Sequence, residues 1–330
     1  MIFVENGPIY DPRINLAIEE YILRHLDKEQ TYLLFYINDP SIIIGRNQNT
    51  LEEIDDAYCR EHGIHVVRRL SGGGAVYHDR GNLNFSFITK DDGQSFMNFR
   101  KFTEPVVEAL RALGVPAELT GRNDIQVGDR KISGNAQFTT GGRMFSHGTL
   151  MLSVDLDRVS RALRPKAEKF QSKSTKSVRA RVANINEFLE KPLTIEEFRE
   201  HLLRFIFKGD SIPTYRLTED DWAIIRQISA ERYANWEWNY GHSPVFNVQS
   251  SKRIEGVGSI DVRLLVEKGL IKNCTIYGDF FGTKPVAEFQ AMLEGIRYEP
   301  EAIREVLKSV DVKEYFGPVD PEELFELIYA

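Results

Sequence analysis

With 330 residues, 42% of them hydrophobic and 11% aromatic, the chain has enough apolar surface for one large and one small core. A net charge of −7 argues against general nucleic-acid binding, which depends on neutralising phosphates with Lys and Arg. It contains no run of about 18 apolar residues, and Met1-Ile2-Phe3-Val4-Glu5-Asn6 lacks the basic start and apolar stretch of a signal peptide, so a cytoplasmic protein without membrane attachment is expected.

In chain order, Arg13 to Leu26 places Ile14, Ala17, Ile18, Tyr21, Ile22 and Leu26 on one face of a helical period, with Pro12 at its start. Tyr32 to Ile37 and Ser41 to Gly45 read as two strands paired around the turn Asn38-Asp39-Pro40. Glu52 to His62 reads as one short helix. His65-Val66-Val67 and Asn82 to Ile88 read as strands of one sheet, joined through Arg68-Arg69-Leu70-Ser71-Gly72-Gly73-Gly74-Ala75-Val76-Tyr77-His78-Asp79. Phe99 to Leu113 is a second amphipathic helix, stopped by Gly114. Gly121 to Val127 and Arg130 to Ala136 form a hairpin around Gly128-Asp129, with Lys131 near the start of its second strand, and His147 to Leu152 is a further strand.

The stretch 166–181 carries Lys166, Lys169, Lys173, Lys176, Arg179 and Arg181 against one acid, Glu168. Such one-sided charge with little apolar content predicts a mobile segment, a lid able to close over a negatively charged intermediate and to attract an acidic partner. Thr194 with Glu197 three places on is a capping box that opens a helix to Phe207. After Trp238 the composition changes. Strands are predicted from Phe246 to Lys252, Ser259 to Val266 and Leu270 to Tyr277, and helices from Pro285, Pro300 and Pro321, joined to the rest through Asn239-Tyr240-Gly241-His242-Ser243-Pro244. The fold class is therefore α+β, with a larger unit over 1–244 and a smaller one over 245–330.

The glycine stretch is the place where backbone freedom and fixed positive charge coincide. A backbone without Cβ atoms can approach a phosphate closely and turn N–H groups toward it, and Arg68 and Arg69 can neutralise an anion. Neither familiar phosphate motif fits: Ala75 follows Gly74 where a P-loop needs Lys, and Tyr77 stands where a dinucleotide fingerprint needs Gly. Lys131 alone reads as a surface lysine, but beside Ser133-Gly134 and after Asn123-Asp124 it suits a point charge aimed at a carboxylate or phosphate. Asp124 either caps the turn or orients Lys131. Taken alone, His78 and His147 read as core histidines rather than as site residues. His62-Gly63-Ile64-His65 is too sparse for zinc, so no resident metal is expected. Ser71 lies in no G-x-S-x-G elbow, which disfavours a serine hydrolase. Trp222, Trp236 and Trp238 read as packing residues.

Several blocks together resemble the lipoate-protein ligase A family: Asn15-Leu16-Ala17-Ile18-Glu19-Glu20, Ile44-Gly45-Arg46-Asn47-Gln48-Asn49, the glycine stretch, Gly121-Arg122-Asn123-Asp124, Lys131-Ile132-Ser133-Gly134, His147-Gly148-Thr149-Leu150 and Ser177-Val178-Arg179-Ala180-Arg181-Val182. The resemblance implies a large mixed-sheet catalytic domain of the biotin and lipoate ligase type with a small C-terminal domain. It implies ATP at Arg69, Gly74, Ala75, Val76, Tyr77 and Lys131, with Lys131 the central catalytic charge. Lipoate would lie along the glycine loop, near Ser71, Gly73, His78 and His147, with its carboxylate at Lys131. Asn123 and Asp124 would orient phosphates and the Mg²⁺ that accompanies ATP. The implied reaction makes lipoyl-AMP and pyrophosphate, then lipoylates a lysine on a carrier domain, such as a 2-oxoacid dehydrogenase acyltransferase subunit or the glycine-cleavage H protein. An octanoyl or lipoyl transferase on the same fold would need a cysteine near the pocket. Cys59 and Cys274 are the two available, and neither lies between Arg68 and Leu152. A non-enzymatic nucleotide-binding adaptor is the third reading.

Overall fold

The computed structural model describes residues 1–121, 123–163, 181–209, 211–240, 247–267 and 269–329. The basic stretch 166–181, apart from Arg181, and the joining segment from 241 to 246 lie outside the described residues.

An eight-stranded mixed sheet forms the centre. Its strands are β1 (Ile2–Glu5), β2 (Tyr32–Tyr36), β6 (Asn82–Lys90), β7 (Glu118–Thr120), β8 (Asp124–Val127), β9 (Arg130–Thr140), β10 (Arg143–Met151) and β11 (Thr214–Arg216), in the order β11-β1-β2-β6-β10-β9-β8-β7. Pairing is parallel from β11 through β1 to β2 and antiparallel beyond. Side chains alternate across a strand, and both faces of β2 are covered. Leu33 and Phe35 join Phe85, Phe102, Val106 and Phe198 on one side, while Tyr32, Leu34 and Tyr36 join Leu16, Ile18, Ile22 and Phe145 on the other. That double burial explains why the strand reads as an unbroken apolar run.

Three helices cover these faces. α1 (Pro12–His25) is opened by Asp11, whose carboxylate accepts the Arg13 N–H, with Pro12 in its first turn. Besides its apolar face it buries Asn15, Glu19 and Glu20, which need partners inside the protein. The opposite face is covered by the helix Phe99–Ala112, with its predicted Gly114 stop, and by Ile195–Phe207, whose Thr194 and Glu197 form the predicted capping box.

A second, three-stranded sheet carries the glycine loop. β3 (Ser41–Ile44) lies between β4 (His65–Arg68), parallel to it, and β5 (Val76–His78), antiparallel. Two expectations change here. β2 and β3 do not pair with each other, because the turn between them passes the chain from one sheet to the other. The loop returns into β5 rather than into Asn82–Lys90, which belongs to the large sheet. The helix expected over 52–62 is split into Thr50–Glu53 and Asp56–Glu61, because Ile54 makes a bridge to Leu163 and Asp55 recaps the chain by accepting the Tyr58 N–H.

Beyond 247, β12 (Val248–Ile254), β13 (Gly258–Glu267) and β14 (Leu270–Gly278) form an antiparallel sheet backed by the helices Val286–Leu293, Pro300–Ser309 and Pro321–Ile328, around its own core of Ile260, Val262, Leu264, Phe289 and Phe316. Trp238 packs as expected, its indole N–H donating to the Arg68 carbonyl at 2.8 Å, and Trp222 lies against the α1 core. Trp236 departs from expectation: it is 58% exposed and only stacks on Tyr240. No helix among the described residues is long and apolar enough to cross a membrane.

Candidate active site

A cavity of about 660 Å³ lies between the two sheets, a volume suited to a small-molecule ligand. Its walls bring together Arg69, Gly73, Gly74, Ala75, Val76, His78, Asn123, Asp124, Lys131 and His147 from the sequence analysis. Ser71 and Tyr77 stand behind the wall. Strand alternation turns Val76 and His78 inward and sends the Tyr77 side chain into the apolar cluster with Ile42 and Ile44.

The two arginines before the glycines divide their work. Arg68 is a clamp: its guanidinium donates to the carbonyls of Gly45, Arg46, Gln48 and Trp238 and to the Thr50 hydroxyl, so the expectation that it neutralises an anion gives way to a structural role. Arg69 is buried, and burial lowers its pKa to about 10, still far above neutrality. Four of its five N–H donors go to Ile43 O, Gly72 O, Gly74 O and Ser71 Oγ at 2.6–3.0 Å. A trans peptide points its N–H opposite its C=O. Drawing the carbonyls of Gly72 and Gly74 toward Arg69 therefore turns the N–H groups of Gly73 and Ala75 away from it, and both residues line the cavity. A buried cation thus organises the loop and leaves N–H groups available to an anion.

Lys131 sits on β9 where a register shift against β8 sets it beside Asp124, Nζ to Oδ1 2.9 Å. Gly134 makes room for the amine, since a Cβ there would lie 2.8 Å from Lys131 Nζ. Asn123 and Asn135 close the hairpin, the Asn135 amide donating to the Asn123 carbonyl at 3.0 Å and the Asn123 amide to the Asn135 carbonyl. The chain returns from 181 onto the same strand: Val182 bridges Lys131, Ala183 N–H donates to Lys131 O, and Arg181 lines the cavity.

At the other end of the cavity, Leu16, Tyr36, Ile43 and Val76 supply apolar surface around His78 and His147. His147 Nδ1 lies 2.9 Å from Glu19 Oε1 and its Nε2 lies 2.8 Å from Ser71 Oγ, which also accepts the Arg69 Nε–H. A Ser–His–Glu row of this kind suggests a nucleophile, but Ser71 is fully buried and holds an arginine proton. It works instead as a tie between α1, β10 and the glycine loop. His78 is fixed by a second chain: Asn15 donates to Asn38, and Asn38 donates to His78 Nδ1 at 3.0 Å, which leaves the proton on Nε2. Burial, reinforced by Arg69 and His147, lowers its pKa to about 3, so it is a neutral donor at neutral pH. Glu19, Tyr36, Asn84, Arg253 and Asp279 are among the cavity and support residues the sequence reading missed. The block containing Glu19 was noticed, yet no spacing in it points to a histidine 128 residues away.

The cysteines are remote from this chemistry. Cys59 is packed against Ile54 and Ile64 and Cys274 in the C-terminal core, neither lines the cavity, and burial pushes their thiols up to about 11 and about 12.

Two family models match the chain: the lipoyl protein ligase A/B catalytic domain over residues 11–207 and the bacterial lipoate protein ligase C-terminus over 243–328. The sequence is 62% identical to the lipoate-protein ligase LplJ of Bacillus subtilis (strain 168), over all of both chains. Two solved structures are similar. A bi-partite lipoate protein ligase from Thermoplasma acidophilum, described with its E2 lipoyl domain, matches with TM-score 0.65 and 34% identity over 75% of this chain and 98% of that one. A lipoate-protein ligase A bound with ATP matches with TM-score 0.63 and 33% identity over 73% and 98%.

Proposed function

Because the chain belongs to the lipoate-protein ligase family, we propose that the cavity divides its work between an acyl end at Leu16, Tyr36, His78 and His147 and a phosphate end at the glycine loop and Lys131. The enzyme activates lipoate with ATP and transfers the lipoyl group to protein. The observation that carries the assignment is the Lys131 amine, the one lysine on the cavity wall among the described residues, held by Asp124 and given room by Gly134, facing a glycine loop with no thiol on the wall.

A carboxylate is a poor electrophile, so it must become a mixed anhydride before an amine can attack it. The lipoate carboxylate oxygen bonds to the ATP α-phosphorus. The bond from that phosphorus to the bridging oxygen breaks, and pyrophosphate leaves with the electron pair. Lys131 holds the carboxylate and α-phosphate together and follows the charge as it builds, and the Gly73 and Ala75 N–H groups cradle phosphate oxygens. Mg²⁺ arrives with the nucleotide. Asp124 and Asp279 line the cavity, and an ion carried mainly by phosphates needs only one or two carboxylates. In the second step a carrier lysine attacks the acyl carbon and AMP leaves. Residues 1–244 act as the catalytic domain and 245–330 as an accessory domain. The acceptors are lipoyl carrier domains of 2-oxoacid dehydrogenase acyltransferase subunits or the glycine-cleavage H protein.

Pyrophosphate release that requires both lipoate and ATP, with a mass gain on a carrier domain equal to one lipoyl group, is the expected result. A transferase reading predicts a cysteine thioester instead. The double variant Cys59→Ala, Cys274→Ala should keep full activity, and loss of turnover in a folded double variant would overturn the ligase assignment of these residues.

A further inference from the structure

The positive charges assigned so far come from the N-terminal part of the chain, yet the C-terminal part also contributes to the cavity wall. Arg253, near the end of β12, and Asp279, just past β14, both line it. We propose that Arg253 binds the polyphosphate tail of the nucleotide and stabilises the departing pyrophosphate, an assignment that rests on the ligase reading above.

Among the described residues, the cationic side chains on the cavity wall are Arg69, Lys131, Arg181 and Arg253. Asp124 offsets the Lys131 ammonium at 2.9 Å, and Arg69 is buried with most of its donors on loop carbonyls. Arg253 differs from both. It is 56% exposed, 3.8 Å from Asp279 Oδ2 and 3.4 Å from Ser259 Oγ, so it is held loosely. Asp279 is fixed, since its other oxygen accepts the Ser259 N–H. The pair therefore keeps a guanidinium at the wall without capturing it, and a planar fork of N–H donors matches phosphate oxygens.

Docking of the C-terminal sheet sets the position. On one side of Asp279, Gly278 N–H donates to the Asn47 carbonyl at 2.7 Å. On the other, the Phe280 carbonyl closes on Gly72, and the Phe281 ring meets Phe99 at 5.8 Å. Asp279 and its arginine are thus delivered to the cavity by contacts with the glycine loop and its neighbours. As the α-phosphorus bond to the bridging oxygen breaks, negative charge grows on pyrophosphate, where an arginine would act. In the transfer step no pyrophosphate is present, and Arg253 has nothing to stabilise.

That asymmetry is the test. Full-length wild type, Arg253→Ala and Arg253→Lys are compared in lipoate-dependent ATP–pyrophosphate exchange and in transfer from synthetic lipoyl-AMP to a carrier domain. Arg253→Ala should lower kcat/KM for ATP by about tenfold to a hundredfold. It should weaken inhibition by added pyrophosphate by a similar factor, with Arg253→Lys recovering part of both, while transfer from supplied lipoyl-AMP and the melting temperature stay as in wild type. Unchanged ATP kinetics and pyrophosphate inhibition in Arg253→Ala would overturn the proposal. So would equal loss of both steps in Arg253→Ala and Arg253→Lys, which would mark the residue as a strut between the two parts. If wild type itself showed no lipoate-dependent exchange, the ligase premise would fail first, and the proposal with it.

Discussion

Lys131 is ordinary by exposure, with a third of its side chain open, and its distinction is geometric. Truncating it leaves Asp124 as an uncompensated charge facing phosphates. Lys131→Ala should therefore lower lipoyl-AMP formation by about 10²–10³-fold with little change in melting temperature. Lys131→Arg should not rescue, because a planar guanidinium is broader than the amine that passes over Gly134. Wild-type adenylation by folded Lys131→Ala would refute the assignment. His78 gives a pH signature. Its pKa lies at about 3 in the folded protein against 6.5 for free imidazole, so below pH 6.5 the unfolded chain binds a proton that the folded protein refuses. Stability is complete above that value and falls as pH drops toward 3, by up to about 1.4 kcal/mol per unit. Urea unfolding of wild type and His78→Asn between pH 7 and pH 4.5 should show a stability difference that shrinks with acid. A constant difference would show that His78 titrates normally.

Among the elements, the glycine loop is the contact on which both halves of the molecule meet. A Cβ on Gly72 would lie 2.3 Å from the Phe280 carbonyl, a backbone atom with no rotamer to escape into. Gly72→Ala should push the C-terminal sheet away and slow lipoate-dependent pyrophosphate exchange by roughly tenfold, about 1.4 kcal/mol, while transfer from supplied lipoyl-AMP persists. Equal slowing of both steps would mean the loop itself had been deformed. Local elements were legible in the sequence where the signal is local: the Asp11-Pro12 helix start, the Thr194 to Glu197 box, the hairpin that carries Lys131, and the glycine stretch. What could not be read depends on long-range pairing. An apolar run such as Tyr32 to Ile37 says that a strand is buried on both faces but not which sheet holds it, so β2 and β3 looked like partners. Arg68 and Arg69 are adjacent and chemically alike, and only the folded carbonyls around each separate clamp from loop organiser. Glu19 was hidden for the same reason, its imidazole partner arriving from β10.

At the scale of the whole molecule, the proposed acyl end of the cavity is lined by residues of the N-terminal part, and Arg253 and Asp279 of the C-terminal part line the wall at the proposed phosphate end. The contacts between the two parts include both the apolar packing of Phe281 against Phe99 and the hydrogen bond from Gly278 N–H to the Asn47 carbonyl. The C-terminal sheet also has its own hydrophobic cluster, so its removal should leave the larger core of Leu33, Phe85 and Val106 intact. A chain ending at residue 244 should therefore lose most lipoyl-AMP formation and retain most transfer from supplied lipoyl-AMP, because the acceptor lysine needs the acyl carbon and not the polyphosphate wall. Adding residues 245–330 as a separate polypeptide should restore part of the first step. The comparison is best made with Phe99→Ser in the truncated chain, since losing Phe281 uncovers that ring to solvent. Equal loss of both steps in a soluble, folded truncation would show that the acyl pocket itself depends on the C-terminal part, contrary to the division that the cavity walls imply.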